Sequence, residues 1–436
     1  MSSGKYAVRR GLVCAVAAAG AWAVGVVGTA PMAVAAEDVR AKQWYLDAMK
    51  VDRIWEKATG KGITVAVIDT GVNPSTPSLK GQVLKGLDTS GAPGDETDDY
   101  RGHGTSMAEL IAGTGKGGGL QGLAPESKII PYRIALDEFQ ERHKTNVWDS
   151  ADAIRAAADS DAQIINLSYG SEFPEAKEDR AVKYAMSKGK LLFAAVGNTG
   201  DKDNKPGYPA MYPEVVGVSG SSPEGKVDDY SQHGNVVDLT APGSDIPGWC
   251  DTTFTRYCDR DGTSSASAVA SATAALIWSA NPDWTANQVL RVMFESAAKG
   301  KDGKAKGMSR YSGYGVVRPG AHLNRGIGKP GDPDISPLTN KRTDGSAASA
   351  APGGESGGDS GASPEPKQGE DKGEDKGEDK GEDKSSTGGS GEKPGATEAA
   401  GKAEDDGGNT GLVIGGVAAV AIVGAVAFFL VRRRSA

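Results

Sequence analysis

Three side chains of this 436-residue chain could together carry out nucleophilic catalysis. Ser264 has a hydroxyl group that is a weak nucleophile until a base removes its proton. His103 has an imidazole that can accept this proton near neutral pH, and the Asp69 carboxylate could fix the imidazole tautomer and stabilise the imidazolium. Asn198 adds an amide that could donate to an oxyanion beside the backbone N–H of Ser264. The chemistry is that of attack on a carbonyl carbon.

The local sequence favours these roles without establishing them one by one. Ser264 follows a turn of small residues and precedes an alanine-rich run, 266–280, that is typical of a buried helix. It is therefore expected at a helix N-terminus, where free N–H groups favour negative charge. His103 lies between Gly102 and Gly104 at another predicted helix start, with room for a neighbouring backbone or a substrate. Such turns are common and a lone histidine is more often an ordinary surface or core residue, so the assignment depends on the whole set.

The elements around these residues predict an α/β fold. The run 63–68 is apolar on both faces and ends at Asp69, as expected of a central parallel strand with its functional group at the carboxyl edge. Further strands are predicted at 128–133, 162–170, 191–198, 215–219, 237–243 and, as strand or turn, 311–318; helices are predicted at 51–58, 106–113, 147–159, 181–188, 266–280 and 285–299. This alternation indicates a mainly parallel sheet between two layers of helices.

Composition excludes some functions. The net charge is −8 and no basic stripe is present, which argues against a nucleic-acid partner. The acidic stretches Asp95–Asp99 and Asp228-Asp229 could bind a structural calcium ion but match no defined calcium loop, so we expect them to be solvated and assign no metal or cofactor. Cys250 and Cys258 lack the spacing of a zinc site; in an exported chain they are expected to form a disulfide that closes a small loop.

The N-terminal residues predict export. Residues 1–36 have a basic start, a long apolar run and small residues at its end, the pattern of a signal peptide cleaved after Ala35 or Ala36. Because the apolar run is long, an uncleaved N-terminal anchor is the alternative. Residues 37–62 form an N-terminal extension that leaves little room for a folded pro-domain.

The C-terminal residues predict a tether and an anchor. Residues 328–409 are rich in Pro, Gly, Ser and charge, with four tandem Gly-Glu-Asp-Lys copies, and indicate a disordered linker. Residues 410–432 include an apolar run of about 21 residues, roughly 31 Å as a helix, which predicts a transmembrane helix. The arginines that follow would hold the tail, 433–436, in the cytoplasm and the bulk of the chain outside. A removable cell-wall sorting tail is the alternative, but residues 407–411 are not a sortase-type pentapeptide.

Four segments in this order resemble the subtilisin family of serine proteases: Val67–Val72, Gly102–Thr105, Ala195–Asn198 and Gly262–Ser264. The resemblance covers about residues 41–325 and extends to the loops 208–210 and 241–243. It implies a subtilisin-like three-layer catalytic domain, assigned to 63–327, with a triad of Asp69, His103 and Ser264 and with Asn198 as oxyanion donor. The family's proline shortly after the serine is missing here, and Ser265 is a rival nucleophile that the register of the motif disfavours.

The same resemblance implies where a substrate binds. Ser168, Tyr169 and Gly170 would pair with the substrate backbone as an added strand. Together with Ala195, Val196 and Gly197 they would line the pocket for the side chain before the scissile bond.

The order of segments resembles the mycosins, the membrane-anchored subtilases of type VII secretion systems. Gln43-Trp44-Tyr45-Leu46 and a disulfide loop before Ser264 fit that group, although mycosins usually carry more than one disulfide and only Cys250–Cys258 is possible here. The resemblance implies a cell-membrane endopeptidase, with peptide or protein substrates, that processes type VII secretion substrates or components. A structural stabiliser of a secretion complex and a general surface protease are the alternatives.

Overall fold

The computed structural model describes residues 39–136, 138–143, 150–205, 207–299 and 308–343. The predicted signal peptide, the transmembrane helix at 410–432 and the cytoplasmic tail lie outside these ranges. Within them, no helix combines the length and the apolar character needed to cross a bilayer.

The helices are α1 Val39–Lys42, α2 Trp44–Met49, α3 Val51–Trp55, α4 His103–Ala112, α5 Glu138–His143, α6 Ser150–Asp159, α7 Ala176–Ser187, α8 Thr263–Ala280, α9 Ala286–Ser296 and α10 Pro319–Leu323. The strands are β1 Thr64–Asp69, β2 Leu87–Asp88, β3 Lys128–Arg133, β4 Ile164–Leu167, β5 Leu191–Ala195, β6 Val216–Ser221, β7 Leu239–Pro242, β8 Ile246–Trp249 and β9 Tyr257–Arg260.

Strands β1 to β7 form one parallel sheet in the order β2-β3-β1-β4-β5-β6-β7. In its centre Val67 of β1 lies between Pro131 of β3 and Asn166 of β4. Because the strands are parallel, their carboxyl ends meet at one edge, which places Asp69 beside the segments that follow β4 and β5. The predicted α/β fold with a parallel sheet is confirmed.

Helices cover both faces of the sheet. Val65 and Val67 point into a core shared with α4 and α8, whereas Ala66 and Ile68 point into a second core shared with α6 and α7. The two cores explain why β1 is apolar at every position from Val65 to Ile68, since both of its faces are buried. The sheet therefore lies between two helical layers.

Helix α8 is buried almost all round and packs against β4 to β7. It begins at Thr263, three residues before the predicted start at Ala266, so Ser264 lies inside the first turn. The earlier start has a tertiary cause: Asn198 Oδ1, from the segment after β5, accepts the N–H of Thr263 at 2.9 Å and caps this end of the helix. Further along, Ser267 and Ser271 donate to the Asn166 side chain of β4.

Helix α7 also begins earlier than predicted. It starts at Ala176, five residues before the predicted start at Ala181, because its mostly charged first turn, which includes the buried Glu178, shows no apolar pattern. The segment 311–318, predicted as a strand or a turn, is a turn with isolated bridges from Val316 to Thr240 and Ala298.

The N-terminal extension belongs to the folded domain. Tyr45, Leu46 and Ile54 are completely buried in the core that contains α8. Gln43 is also buried, and its amide forms two hydrogen bonds with the Gln121 backbone, at 2.8 and 2.9 Å. These contacts hold the extension to the catalytic domain.

Residues 328–343 correct the predicted start of the linker. They are packed against α9, where Asn287 Nδ2 donates to the Pro333 carbonyl at 2.8 Å and Arg291 Nη2 donates to the Ile335 carbonyl at 3.1 Å. The composition of this segment suggested disorder, but backbone carbonyls that accept from α9, together with Leu338 against the core, hold it in place. The rest of the predicted linker lies outside the described residues.

A hairpin of β8 and β9, which the sequence pattern did not reveal, carries the Cys250–Cys258 disulfide. The predicted disulfide is confirmed. The hairpin rests on α4, because the N–H of Trp249 donates to Ser106 Oγ at 2.8 Å. Tyr257 on β9 reaches the same helix and donates to Glu109 at 2.8 Å.

The buried carboxyl of Glu109 is expected to make the unfolding free energy of the domain depend on pH. Burial raises the pKa of this carboxyl from 4.5 to about 7, against the opposing effect of hydrogen bonds from Thr76 and Tyr257. Between these pH values the folded chain holds a proton that the unfolded chain has lost, so the contribution is full below pH 4.5 and is lost as pH rises through about 7. Glu109→Gln should remove up to about 3 kcal/mol of this dependence, as measured by urea unfolding from pH 4.5 to 8.

Asp238 contributes in the same direction, because burial also raises its pKa to about 7. The effect of Glu109→Gln is therefore measured as a difference from wild type. An exposed carboxylate supplies the control, and Glu56→Gln should leave the dependence unchanged. The same slope in wild type and Glu109→Gln would show that Glu109 is not the titrating group.

Candidate functional site

Asp69 and His103 are in direct contact. Asp69 ends β1 and is completely buried; its Oδ1 accepts the N–H of Thr70 at 2.7 Å and lies 2.8 Å from His103 Nδ1. Since a carboxylate oxygen accepts, Nδ1 is the donor and Nε2 is left with the free lone pair. This is the tautomer that a general base requires.

The surroundings of the His103 imidazole raise its pKa. Burial lowers its pKa, but the negative charge of Asp69 and the hydrogen bond to it outweigh burial and, with a smaller effect of Asp99, raise the pKa above the ordinary value. The side chain is still 26% exposed, so its outer edge is open to the solvent side of the site.

Asp99 organises the start of α4, a role that sequence reasoning missed. Its two carboxylate oxygens accept five hydrogen bonds, from Thr70 Oγ1, from the N–H groups of Arg101, Gly102 and Thr105, and from Thr105 Oγ1. They tie the end of β1 to the helix that carries His103. The prediction of a solvated acidic stretch fits the exposed Asp95 but is wrong for Asp99, which is 7% exposed. An acidic residue just before a helix N-terminus was the available signal.

Asp99→Ala should therefore destabilise the domain and misplace His103. We expect a loss of about 3 kcal/mol or more in unfolding free energy, because buried donors lose a charged acceptor. Peptidase activity should fall with it, since the imidazole depends on the start of α4. Urea unfolding and kcat measure the two effects. Asp95→Ala is the control, because the Asp95 side chain is exposed and its described hydrogen bonds come from Thr97; equal stability of the two variants would contradict the assignment.

Ser264 lies in the first turn of α8 with its Oγ turned to the Ser168 carbonyl, at 3.1 Å. Among the described residues no hydrogen bond joins this Oγ to His103. Rotation about the Cα–Cβ bond moves a serine hydroxyl between staggered positions at little cost, and catalytic hydrogen bonds often form only with substrate bound. Ser265, the rival nucleophile, is buried, 5% exposed.

The Asn198 amide is oriented by the same helix start. Its Oδ1 accepts both the N–H and the Oγ1 of Thr263, each at 2.9 Å. The two donors identify the oxygen of the amide, so Nδ2 is the atom left to donate elsewhere, and no hydrogen bond occupies it in the described part of the chain. The residue is exposed, which leaves Nδ2 accessible to a ligand beside Ser264.

Asn198→Ala should lower kcat by about 10²- to 10³-fold with little change in KM, because the lost donor acts on charge that develops in the transition state. The size is that known for the corresponding substitution in subtilisin. Steady-state kinetics on a fluorogenic peptide measure both constants. Asn235 is also exposed, so Asn235→Ala is the control and should have the kcat and KM of wild type. A rise in KM at unchanged kcat would contradict an oxyanion role.

The predicted substrate segments are neighbours because β4 and β5 are paired, with Leu167 opposite Ala194. Gly170 is exposed and has free space around its Cα, whereas the Tyr169 side chain is buried and its hydroxyl donates to Glu178 at 3.0 Å. Tyr169 can therefore offer only its backbone to a ligand. Gly197, with φ of +110°, is packed so closely against the Gln232 amide that a side chain would collide with it.

The segments Ser168–Gly170 and Ala195–Gly197 share a neighbour. Ser171 and Tyr208 exchange two backbone hydrogen bonds of 2.8 Å, which brings the loop with the cis Tyr208–Pro209 bond next to the first segment. Gly207 of this loop lies against the Val196 carbonyl of the second segment. The three segments are therefore neighbours at the carboxyl edge of the sheet.

The acidic stretches are occupied by internal hydrogen bonds. Asp98 Oδ2 accepts the N–H of Asp95, and Asp228 Oδ2 accepts Ser244 Oγ at 2.8 Å. Within the described ranges no group of three or more His, Cys, Asp or Glu side chains is placed to hold a metal ion.

Comparison with known proteins identifies the family. The subtilase family pattern matches residues 60–315, more than half of the chain. The major intracellular serine protease of Bacillus subtilis (strain 168) is 36% identical over 210 residues, which cover 46% of this chain and 64% of that relative. Thermitase of Thermoactinomyces vulgaris is 33% identical over 230 residues, covering 52% of this chain and 78% of thermitase.

A solved structure is also similar. The MycP3 protease from the type VII (ESX-3) secretion system has a TM-score of 0.54 and 29% identity, over 64% of this chain and 87% of that one. The match to the Bacillus protein spans just under two thirds of that relative's length. The family match, the thermitase match and the parallel α/β fold agree, and the chain belongs to the subtilase family of serine proteases.

Proposed function

We propose that this protein is a serine endopeptidase with Ser264 as nucleophile, His103 as general base and acid, and Asp69 as the carboxylate that orients His103. The observation that carries the proposal is the 2.8 Å contact of the buried Asp69 with His103 Nδ1, with Ser264 in the first turn of a helix at the same edge of the sheet.

In the proposed reaction Ser264 Oγ attacks the carbonyl carbon of the scissile bond while His103 Nε2 takes the hydroxyl proton. The oxyanion accepts hydrogen bonds from Asn198 Nδ2 and the Ser264 N–H. Collapse of this intermediate breaks the C–N bond, and the imidazolium gives its proton to the leaving amine. Water then attacks the acyl-serine with His103 again as base, which releases the acid and restores Ser264. Asp69 stabilises the imidazolium in both halves.

The substrate is proposed to bind as an added strand along Ser168–Gly170. The exposed Gly170 supports this arrangement because no side chain blocks its backbone. The side chain before the scissile bond would bind next to Ala195, Val196 and Gly197. No cofactor is required for this mechanism.

We further propose that the domain works outside the cell, held by the helix at 410–432 and by the linker, and that it processes substrates or components of a type VII secretion system. Similarity to the MycP3 protease from the type VII (ESX-3) system supports the secretion role. The signal pattern in residues 1–36 and the arginines after the apolar run support the topology.

Proteomics of culture fluid and membranes tests this role by comparing a deletion strain complemented with wild type or with Ser264→Ala. The proposal expects uncleaved secretion substrates or components to accumulate with Ser264→Ala. Normal secretion and processing in that strain would instead favour a structural stabiliser, which needs the fold and not the serine. Broad changes among unrelated surface proteins would indicate a general surface protease.

A further inference from the structure

A groove of about 560 Å³, lined by none of the candidate catalytic residues, lies between the N-terminal extension and the start of α10. We propose that this groove, which we call the basic groove, is a docking site for an acidic segment of a partner protein that also carries apolar side chains. Its volume is within the range of pockets that hold ligands.

The floor of the basic groove is apolar. Trp44 and Met49 of α2 face Val317 and Pro319, and Pro242 at the end of β7 completes the surface. Trp44 is fixed, because its Nε1 donates to the Ser244 carbonyl at 3.0 Å. A ligand that covers this floor gains hydrophobic free energy in proportion to the apolar area removed from water.

The rim is positively charged. Lys50, Arg53, Arg318 and Arg325 line the groove, and none of them forms an ion pair within the described part of the chain. Arg318 and Arg325 are close enough to repel each other; burial, and then the charge of Arg325, lower the pKa of Arg318. A ligand carboxylate between them would relieve this repulsion.

No carboxylate of the described residues lines the groove. Glu224, between the lining residues Pro223 and Gly225, has its carboxylate held by Ser222 Oγ at 2.7 Å. Four cations that have no ion-pair partner among the described residues are notable in a chain of net charge −8. Their charge is complementary to an anion, and the apolar floor requires that this anion be part of an amphipathic molecule.

The concave shape favours a protein segment over a membrane surface. A flat layer of lipid head groups could meet the exposed rim cations but could not fill the floor between α2 and α10. A peptide with one or two apolar side chains flanked by Asp or Glu satisfies both parts of the surface, and such anchors commonly dominate binding.

The basic groove has a different lining from the candidate catalytic site. It borders β7, which is four strands from β1, the strand that ends at Asp69, or about 19 Å at the usual strand spacing. It lies nearer to the start of α8, because Pro242 is followed by Gly243, whose carbonyl accepts the N–H of Gly262 at 2.9 Å. None of its lining residues belongs to the candidate catalytic set. Docking there therefore does not require hydrolysis, and the proposal does not depend on peptidase activity.

Phage-displayed random 12-residue peptides, panned on the full-length chain in detergent, test the proposal. The Ser264→Ala background keeps bound peptides intact. The test variant carries Lys50→Glu, Arg53→Glu and Arg325→Glu, three exposed side chains, and leaves Arg318 in place because it donates to the Ser296 and Ala297 carbonyls. The matched control carries Lys85→Glu, Lys177→Glu and Arg180→Glu, which change the same charge at exposed positions elsewhere.

We expect the recovered peptides to combine Asp or Glu with apolar residues. A fluorescein-labelled synthetic copy should bind the test variant at least tenfold more weakly than the parent, and the control less than twofold more weakly. An unfolding temperature equal to that of the parent would show that each variant is folded. Recovered peptides without acidic enrichment, or equal binding to the test variant and parent, would overturn the proposal. Loss of binding to phosphatidylglycerol vesicles in the test variant, with no acidic peptide recovered, would identify a lipid-binding surface instead.

Discussion

Ser264→Ala is expected to lower kcat for peptide hydrolysis by about six orders of magnitude, the loss known for the catalytic serine of subtilisin. The alanine cannot form the acyl-enzyme, and what remains is the rate that binding and oxyanion stabilisation support without a nucleophile. The measurement is hydrolysis of a fluorogenic peptide mixture by the full-length chain. Circular dichroism and the unfolding temperature should match wild type, because the substitution removes one partly buried hydrogen bond of the described structure, to the Ser168 carbonyl.

Ser265→Ala is the matched control for this prediction. The two serines are neighbours in the same helical turn, but Ser265 is buried, so its removal should leave activity within about threefold of wild type. Residual activity above about 1% in Ser264→Ala, or inactivation by Ser265→Ala in a folded chain, would contradict the assignment of the nucleophile.

The second large effect is expected for Asp69→Asn, which should lower kcat by about 10⁴-fold at neutral pH, the size known for the same change in another serine protease. An asparagine amide can donate to His103 Nδ1, which would leave the proton on Nε2, where it blocks acceptance of the serine proton. The shape of the site is preserved, so KM should change little. An exposed carboxylate on α2 supplies the control, Asp47→Asn.

The pH dependence of kcat/KM is an independent test of the contact between Asp69 and His103. Burial lowers the His103 pKa, but the Asp69 charge and hydrogen bond raise it above the ordinary value. Activity needs neutral His103, so in wild type the acid limb of kcat/KM should lie above about pH 6.5, and in Asp69→Asn it should move to lower pH. A loss of less than tenfold in kcat, or an acid limb that does not move, would show that Asp69 does not control His103.

The local sequence pattern was sufficient to predict the strand and the helices that carry the candidate catalytic residues. Strand β1 is apolar from Val65 to Ile68 because both faces are buried, and that run is visible in the sequence together with the acid at its end. The glycines around His103 and the small residues before Ser264 likewise mark sharp turns into helices. Residues whose function depends on their own segment were therefore predictable.

Residues whose function depends on distant segments were not. Asp99 appeared as one acid in a polar loop. Four of its five hydrogen bonds come from residues 101–105, but the bond from Thr70, which ties it to the end of β1, forms only in the fold. The start of α8 at Thr263 depends on Asn198, 65 residues earlier. Residues 328–343 carried no pattern of a core, because they are held mainly through backbone carbonyls.

Covalent labelling tests the central claim most directly. A fluorophosphonate probe reacts with an activated serine, and peptide mass spectrometry of the labelled full-length chain locates the adduct. We predict one adduct, on Ser264, that is absent from Ser264→Ala and forms far more slowly in Asp69→Asn. A correctly folded wild-type chain that resists the probe, or carries the adduct on another residue such as Ser265, would contradict the account.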